Sequence, residues 1–135
     1  MNAYTSSAWP GKGFALVRIM VGLLLAYHGL EVFQPKLMAG YATWDAFKGS
    51  SFATLLVYAG KGSELVAGLL LAAGLWTRLA GFICVGTFAY ITFLIGQGRF
   101  WYQDQHPFMF LLFGLLYLLV GAGPWSVDEW RHRRR

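Results

Sequence analysis

Two carboxylates, two imidazoles, a lysine and an arginine stand within or beside long apolar runs: Glu31 and Glu64, His28 and His106, Lys61, and Arg18. A carboxylate inside a membrane span costs roughly 2.5–3.5 kcal/mol on insertion scales, so it is normally turned toward a partner or a wet cavity. Histidine exchanges protons near neutral pH. His and Glu beside aromatic walls have the chemistry to handle protons while a quinone is reduced or oxidised. On this reading Glu64 and His28 relay protons and Arg18 neutralises charge. Glu31, Lys61 and His106 complete the polar wall, and Trp101 and Tyr102 line the quinone headgroup. The plainer account is that Glu64 pairs with Lys61 or Arg18 to neutralise buried charge, and that the histidines are satisfied interfacial residues. His28-x-x-Glu31 resembles half of a helix-borne metal site, but the di-iron pattern runs Glu-x-x-His, so no metal is expected.

The elements that must position these groups follow from composition. Of 135 residues, 57% are hydrophobic and 13% charged, with a mean hydropathy of +0.50. Soluble domains carry about 25% charged residues. The chain therefore reads as one integral membrane domain over residues 1–135. Four apolar runs, about 14–33, 52–76, 79–96 and 107–123, each approach the ~17–25 residues a spanning helix needs. They lack the alternation of membrane β-strands. The expected fold is all-α: an antiparallel bundle of four transmembrane helices with a basic tail, 126–135.

Local signals refine this layout. Pro10, Gly11 and Gly13 are read as a break before helix one, and Pro35 as its end. The segment 34–51 spaces Leu37, Met38, Tyr41, Trp44 and Phe47 as a short amphipathic helix would, lying in the interface or roofing a pocket. Trp76-Thr77-Arg78 is so short a turn that helices two and three must be antiparallel neighbours. Gly121-Ala122-Gly123-Pro124 stops helix four. The tryptophans Trp9, Trp44, Trp76, Trp101, Trp125 and Trp130 all fall at or beyond span ends, as an interfacial aromatic belt requires. Gly60, Glu64, Ala67 and Gly68 share a helical face, and small residues there predict close helix packing. A parallel stripe on helix one holds Arg18, Gly22, Leu25 and Gly29. The lone Cys84 can form neither an internal disulfide nor a CxxC pair, and reads as a buried apolar residue.

The N-terminus lacks the pattern of a cleaved signal, so the first run reads as a retained helix. The net charge of +5 is concentrated in the tail, which leaves no folded basic surface for nucleic acid. With four spans both termini share one side. That side carries Lys12, Arg78, Arg131, Arg133, Arg134 and Arg135, against Lys36, Lys48 and Arg99 on the other. The positive-inside rule then places both termini in the cytoplasm, a placement that depends on the RHRRR tail. The tail can also hold anionic lipid.

Depth along the helices brings the polar groups together. At ~1.5 Å rise per residue, His28 lies roughly 21 Å and Glu31 roughly 25 Å from the inner end of their span. Glu64 lies at roughly 18 Å and Lys61 at roughly 22 Å, with His106 near the same outer level. Arg18 sits roughly 12 Å below Glu64, a gap that a long side chain narrows.

Three pieces of sequence resemble the DoxX family of small four-helix membrane proteins: LVRIMVGLLLAYHGLEVF, GSELVAGLLLAAGLWTRLAGF and GAGPWSVDEW. Arg18, His28, Glu64, Arg78 and Asp128 match the family pattern. A lysine common soon after the HG pair is replaced in its neighbourhood by Glu31 and then Lys36. The resemblance implies a fold related to the membrane subunit of a thiosulfate:quinone oxidoreductase, in a bacterial plasma membrane. No flavin, haem or iron–sulfur motif is present. Two functions are expected from this: a membrane subunit or small enzyme of quinone-linked electron transfer, with quinone near Glu64, or a non-catalytic membrane scaffold that recruits a redox or stress-response partner. A partner subunit or homo-oligomer fits either.

Overall fold

The computed structural model describes residues 9–135, and every described element is helical. Residues 1–8, which hold most of the stretch read for a signal sequence, lie outside the described residues. The helices are α1 (Trp9–Gly29), α2 (Pro35–Ala42), α3 (Ala53–Ala73), α4 (Thr77–Tyr90), α5 (Gln105–Val120) and α6 (Val127–Arg133). A 3-10 turn, Leu30–Phe33, extends α1, and a π-helical turn, Ile91–Ile95, extends α4.

Three helical stretches are long and apolar enough to cross a membrane: Pro10–Phe33, Ala53–Ala73 and Thr77–Ile95. The fourth apolar helix, α5, has 16 residues. It covers about 24 Å, less than the ~30 Å hydrocarbon core.

The expected boundaries are met in part. Pro10, Gly11 and Gly13 lie inside α1 rather than before it; proline is tolerated in a first turn, where its missing N–H has no helical acceptor. The first span does end at Phe33, just before Pro35, and Pro35 also opens α2, for the same reason. The turn between the second and third runs comes earlier than expected: α3 ends at Ala73, and Thr77 and Arg78 open α4 instead of forming the turn, whereas α5 stops at Gly121 as expected. Gly74 adopts φ 66° as the C-cap of α3, and Gly121 adopts φ 90° after α5.

Two glycine seams hold the bundle. α1 packs antiparallel on α3 and α4 on α5, with α3 joining the two pairs through its contact with α4. In the first seam, a Cβ added at Gly22 would lie 2.3 Å from the Ala72 nitrogen, and one at Gly68 2.3 Å from the Ala26 nitrogen. The second seam brings Gly81 against the Leu118 backbone and Gly114 against Cys84. Lipid supplies no hydrophobic drive between helices, so such backbone approach and its dispersion contacts do the holding. Val21, Leu25, Ala67, Leu71, Ala80, Cys84, Phe88, Phe110 and Tyr117 fill the space between the pairs. The Cys84 thiol donates to the Phe110 carbonyl at 3.4 Å.

The outer faces are apolar and exposed, including Leu16, Leu23, Leu69, Phe82 and Leu119, as lipid contact requires. Trp44, Trp76, Trp101, Trp125 and Trp130 are also exposed near helix ends.

Candidate functional site

At the end of the bundle covered by α2, the ends of α1 and α4 and the starts of α3 and α5 enclose a cavity of about 570 Å³. Ligand pockets typically fall at ~300–1,000 Å³. His28, Glu31, Lys61, Glu64 and His106, the groups placed together by depth, all line it. Lys61 Nζ is the hub. It lies 3.0 Å from Glu64 Oε2 on its own helix and 3.0 Å from Glu31 Oε2 on the turn after α1. His28 Nδ1 is 4.0 Å from Glu31 Oε1, and the His28 and His106 rings are 5.4 Å apart. Glu64 is buried, whereas Glu31 and Lys61 are partly exposed to the cavity. Two carboxylates bridged by one ammonium leave a formal charge of −1, which one protonated imidazole would cancel.

Helix spacing explains the geometry. Lys61 and Glu64 are three residues apart and share a face. The 3-10 turn after α1 turns Glu31 toward that face, and Gly29, whose added Cβ would lie 2.3 Å from the Leu65 nitrogen, lets the two chains close up. Gly60 was expected to be pressed against a helix with Gly68, but a Cβ there meets nothing within 4 Å, and Gly60 lines the cavity instead.

Segment 34–51 forms the roof. Met38 is fully buried, and it joins Phe47 and Val57 in a second apolar cluster packed by Tyr41, Ala42, Ala53 and Ile95. The Tyr41 hydroxyl donates to Glu31 Oε2 at 2.8 Å, and its ring packs edge-on against Trp44, centroids 5.0 Å apart. Burial and this hydrogen bond to a carboxylate push the Tyr41 hydroxyl above its ordinary range. Aromatic and apolar walls include Phe88 and Tyr90 of α4, Ile91 of the π-helical turn and Phe110 of α5. The Phe88 and Phe110 rings stack 5.1 Å apart. Sequence reasoning missed these four. Their only signal was helical phase within runs so uniformly apolar that no face stands out.

Two expected members are elsewhere. Trp101 and Tyr102 are exposed and do not line the cavity. Their loop folds on itself. Asp104 accepts from the Arg99 backbone N–H at 3.0 Å, and Phe100, packed on Phe93 and Phe108, takes the inward position. Arg18 is fully buried but points to the far end of the bundle. Its guanidinium donates to the carbonyls of Leu71 (3.0 Å), Pro124 (3.2 Å), Trp125 (2.7 Å) and Ala122. Lys61, not Arg18, is therefore the partner of Glu64.

Asp128 belongs to the same far end. Its carboxylate accepts from the backbone N–H groups of Trp76 and Thr77, both at 2.9 Å, and its own N–H donates to the Gly74 carbonyl at 2.9 Å. Ser126 caps α6 by accepting from the Glu129 N–H. Arg18, Asp128 and the Gly121–Ser126 turn thus form a clamp that ties the C-terminal segment to the α3–α4 turn. Arg78, exposed on the first turn of α4, stands beside Gly121.

The profile of the DoxX family matches residues 13–97, from the start of α1 through the π-helical turn. The chain belongs to the DoxX family. No curated protein and no solved structure matched it. The DoxX match takes in His28, Glu31, Lys61, Glu64 and Arg18, and stops before His106 and Asp128. Four of the five polar cavity residues and the clamp arginine thus lie in α1, the 3-10 turn after it and α3, within the DoxX segment. Among the described residues, no group of three or more His, Cys, Asp or Glu is placed to hold a metal ion.

Proposed function

We propose that this DoxX protein is a quinone-binding membrane subunit of an electron-transfer system, in which the cavity takes the quinone headgroup. The observation that carries the reading is the Glu31–Lys61–Glu64 cluster facing an aromatic-walled cavity, with Glu64 buried and His28 and His106 on the same cavity. Two carbonyl oxygens of a quinone need hydrogen-bond donors, and Lys61 and the imidazoles supply them. Reduction to quinol takes up two electrons and two protons. The chain's own residues serve the protons: the histidines donate, and Glu31 and Glu64 re-protonate them by first taking up protons from water that enters the cavity. The electrons come from a partner subunit that carries a redox centre, since this sequence holds no motif for one. A scaffold has no need of three charged groups inside its bundle, which favours this reading over recruitment alone.

In this reading α5 completes a four-span antiparallel bundle by local thinning of the bilayer at its short length. Both termini lie in the cytoplasm of a bacterial plasma membrane, with the RHRRR tail at anionic headgroups. The cavity then opens toward the outer half of the membrane.

Equilibrium binding tests the proposal. Trp44 lines the cavity, so a tailless benzoquinone should quench its fluorescence saturably, and the quenched component should vanish in Trp44→Phe. Absence of saturable quenching in the parent protein would reject quinone as the ligand.

A further inference from the structure

We infer that the cavity has a side door between α3 and α4, facing the hydrocarbon of the bilayer, through which the tail of the bound quinone passes; this rests on the headgroup reading above. Five residues that line the cavity identify the opening: Leu56, Ala59 and Ser63 on α3, and Gly86 and Tyr90 on α4. Leu56, Ala59, Gly86 and Tyr90 are also exposed, so the cavity is open to the surroundings along this line.

The position of the opening decides what it meets. α3 and α4 are joined by the tight turn at Gly74–Trp76 and are both long enough to span. Counting from that turn at ~1.5 Å per residue, Gly86 stands about 13 Å and Ser63 about 15 Å up their helices. Tyr90 and Ala59 stand at about 20 Å and 21 Å. These heights fall within the ~30 Å hydrocarbon layer, so the door opens onto acyl chains and not onto water. The helices are arranged to leave it open. α1–α3 and α4–α5 are closed by glycine seams nearer the Gly74–Trp76 turn, whereas no glycine draws α3 onto α4 at any height. A Cβ at Gly86 meets nothing within 4 Å, and neither does one at Gly60 on the cavity wall.

An amphiphile fits this shape. Its ring lies against Lys61, Glu64 and the histidines, and its chain leaves sideways without being drawn out of lipid. A tail already in hydrocarbon gains little by entering protein, so the door acts by steric permission and not by added affinity.

The test compares two probes on the parent protein, on Gly86→Phe and on Ala59→Phe. The probes are a tailless benzoquinone and the same ring with a decyl chain, read by the Trp44 quenching signal in detergent. The parent should bind both. The two variants narrow the door from opposite lips: a Cβ at Gly86 meets nothing within 4 Å, and Ala59 is exposed. Each should weaken the decyl quinone at least about tenfold while leaving the tailless ring within about twofold. If both probes keep parental affinity in both variants, the door is overturned and the headgroup site stands. Equal loss of the two probes also overturns it, because the opening would then not be selective for a tail. Failure of the tailless ring to bind the parent rejects the headgroup reading itself.

Discussion

Lys61 Nζ and Glu31 Oε2 meet at 3.0 Å although they lie on different helical segments thirty residues apart in sequence. This bridge closes α1 onto α3 at the cavity end, and Glu64 shares the same ammonium. Removing the cation leaves two carboxylates facing each other without compensation. Lys61→Met should destabilise the detergent-solubilised protein by about 3–5 kcal/mol, as breaking a buried pair typically does. Lys61→Met with Glu64→Leu should recover part of that loss. Thermal unfolding of the single and double mutants measures the coupling, and strict additivity would contradict the shared bridge.

Arg18 and Glu64 should behave independently. Arg18 serves carbonyls of the α3 end and the turn before α6, whereas Glu64 belongs to the cavity. Arg18→Leu strips several charge-assisted hydrogen bonds, each worth about 1.5–3 kcal/mol, so a loss of at least about 3 kcal/mol is expected. Its effect should add to that of Glu64→Leu within about 0.5 kcal/mol in a double-mutant cycle. A larger coupling would place the two side chains in one network.

The clamp predicts a second pair of stability effects, remote from ligand binding. Gly74 holds φ 66°, and an added Cβ would lie 2.4 Å from that of Ser126. Gly74→Ala should therefore destabilise more than the ~1 kcal/mol of left-handed strain alone, because the C-terminal turn must also shift. Asp128→Asn keeps the shape but loses the charge at the start of α4, and should cost about 1 kcal/mol. Neither change should alter quinone affinity in the Trp44 quenching assay. A clamp mutation that abolished binding without unfolding would assign these residues to the site.

The roof should be fastened by Tyr41. Its hydroxyl titrates above the ordinary value of about 10, because burial and Glu31 both favour the neutral form. For a group whose folded pKa is raised, the stabilising contribution is complete below the unfolded value and is lost as pH rises through the folded one. A spin label at the exposed Ala46 should therefore gain mobility only above about pH 10. Tyr41→Phe should raise its mobility at neutral pH and remove that alkaline transition. A tailless quinone should slow the label in the parent. Spectra insensitive both to quinone and to Tyr41→Phe would leave the segment as a plain interfacial helix.

Much of this site was legible because helix geometry is rigid. One rise per residue was enough to set His28, Glu31, Lys61 and Glu64 at one height, and i, i+3 spacing put Lys61 beside Glu64. What depth does not reveal is direction. Arg18 could be counted to its level, but only the Gly121–Trp125 turn, folded back on the bundle, decides that its guanidinium points away from Glu64. Trp101 and Tyr102 lay at the right end, yet loop packing gave the inward place to Phe100. The aromatic walls of α4 and α5 were hidden because an apolar helix in lipid has no polar face to mark its inside.

In the proposed function the cavity holds a quinone headgroup against Lys61 and Glu64. Photolabelling with an azido-benzoquinone followed by peptide mass spectrometry reads it most directly. Adducts should fall on cavity residues such as Tyr41, Trp44, Lys61 and Phe110, compete away with unlabelled quinone, and drop in Glu64→Leu. Labelling confined to exposed residues such as Trp101 and Tyr102, with no competition, would contradict the account.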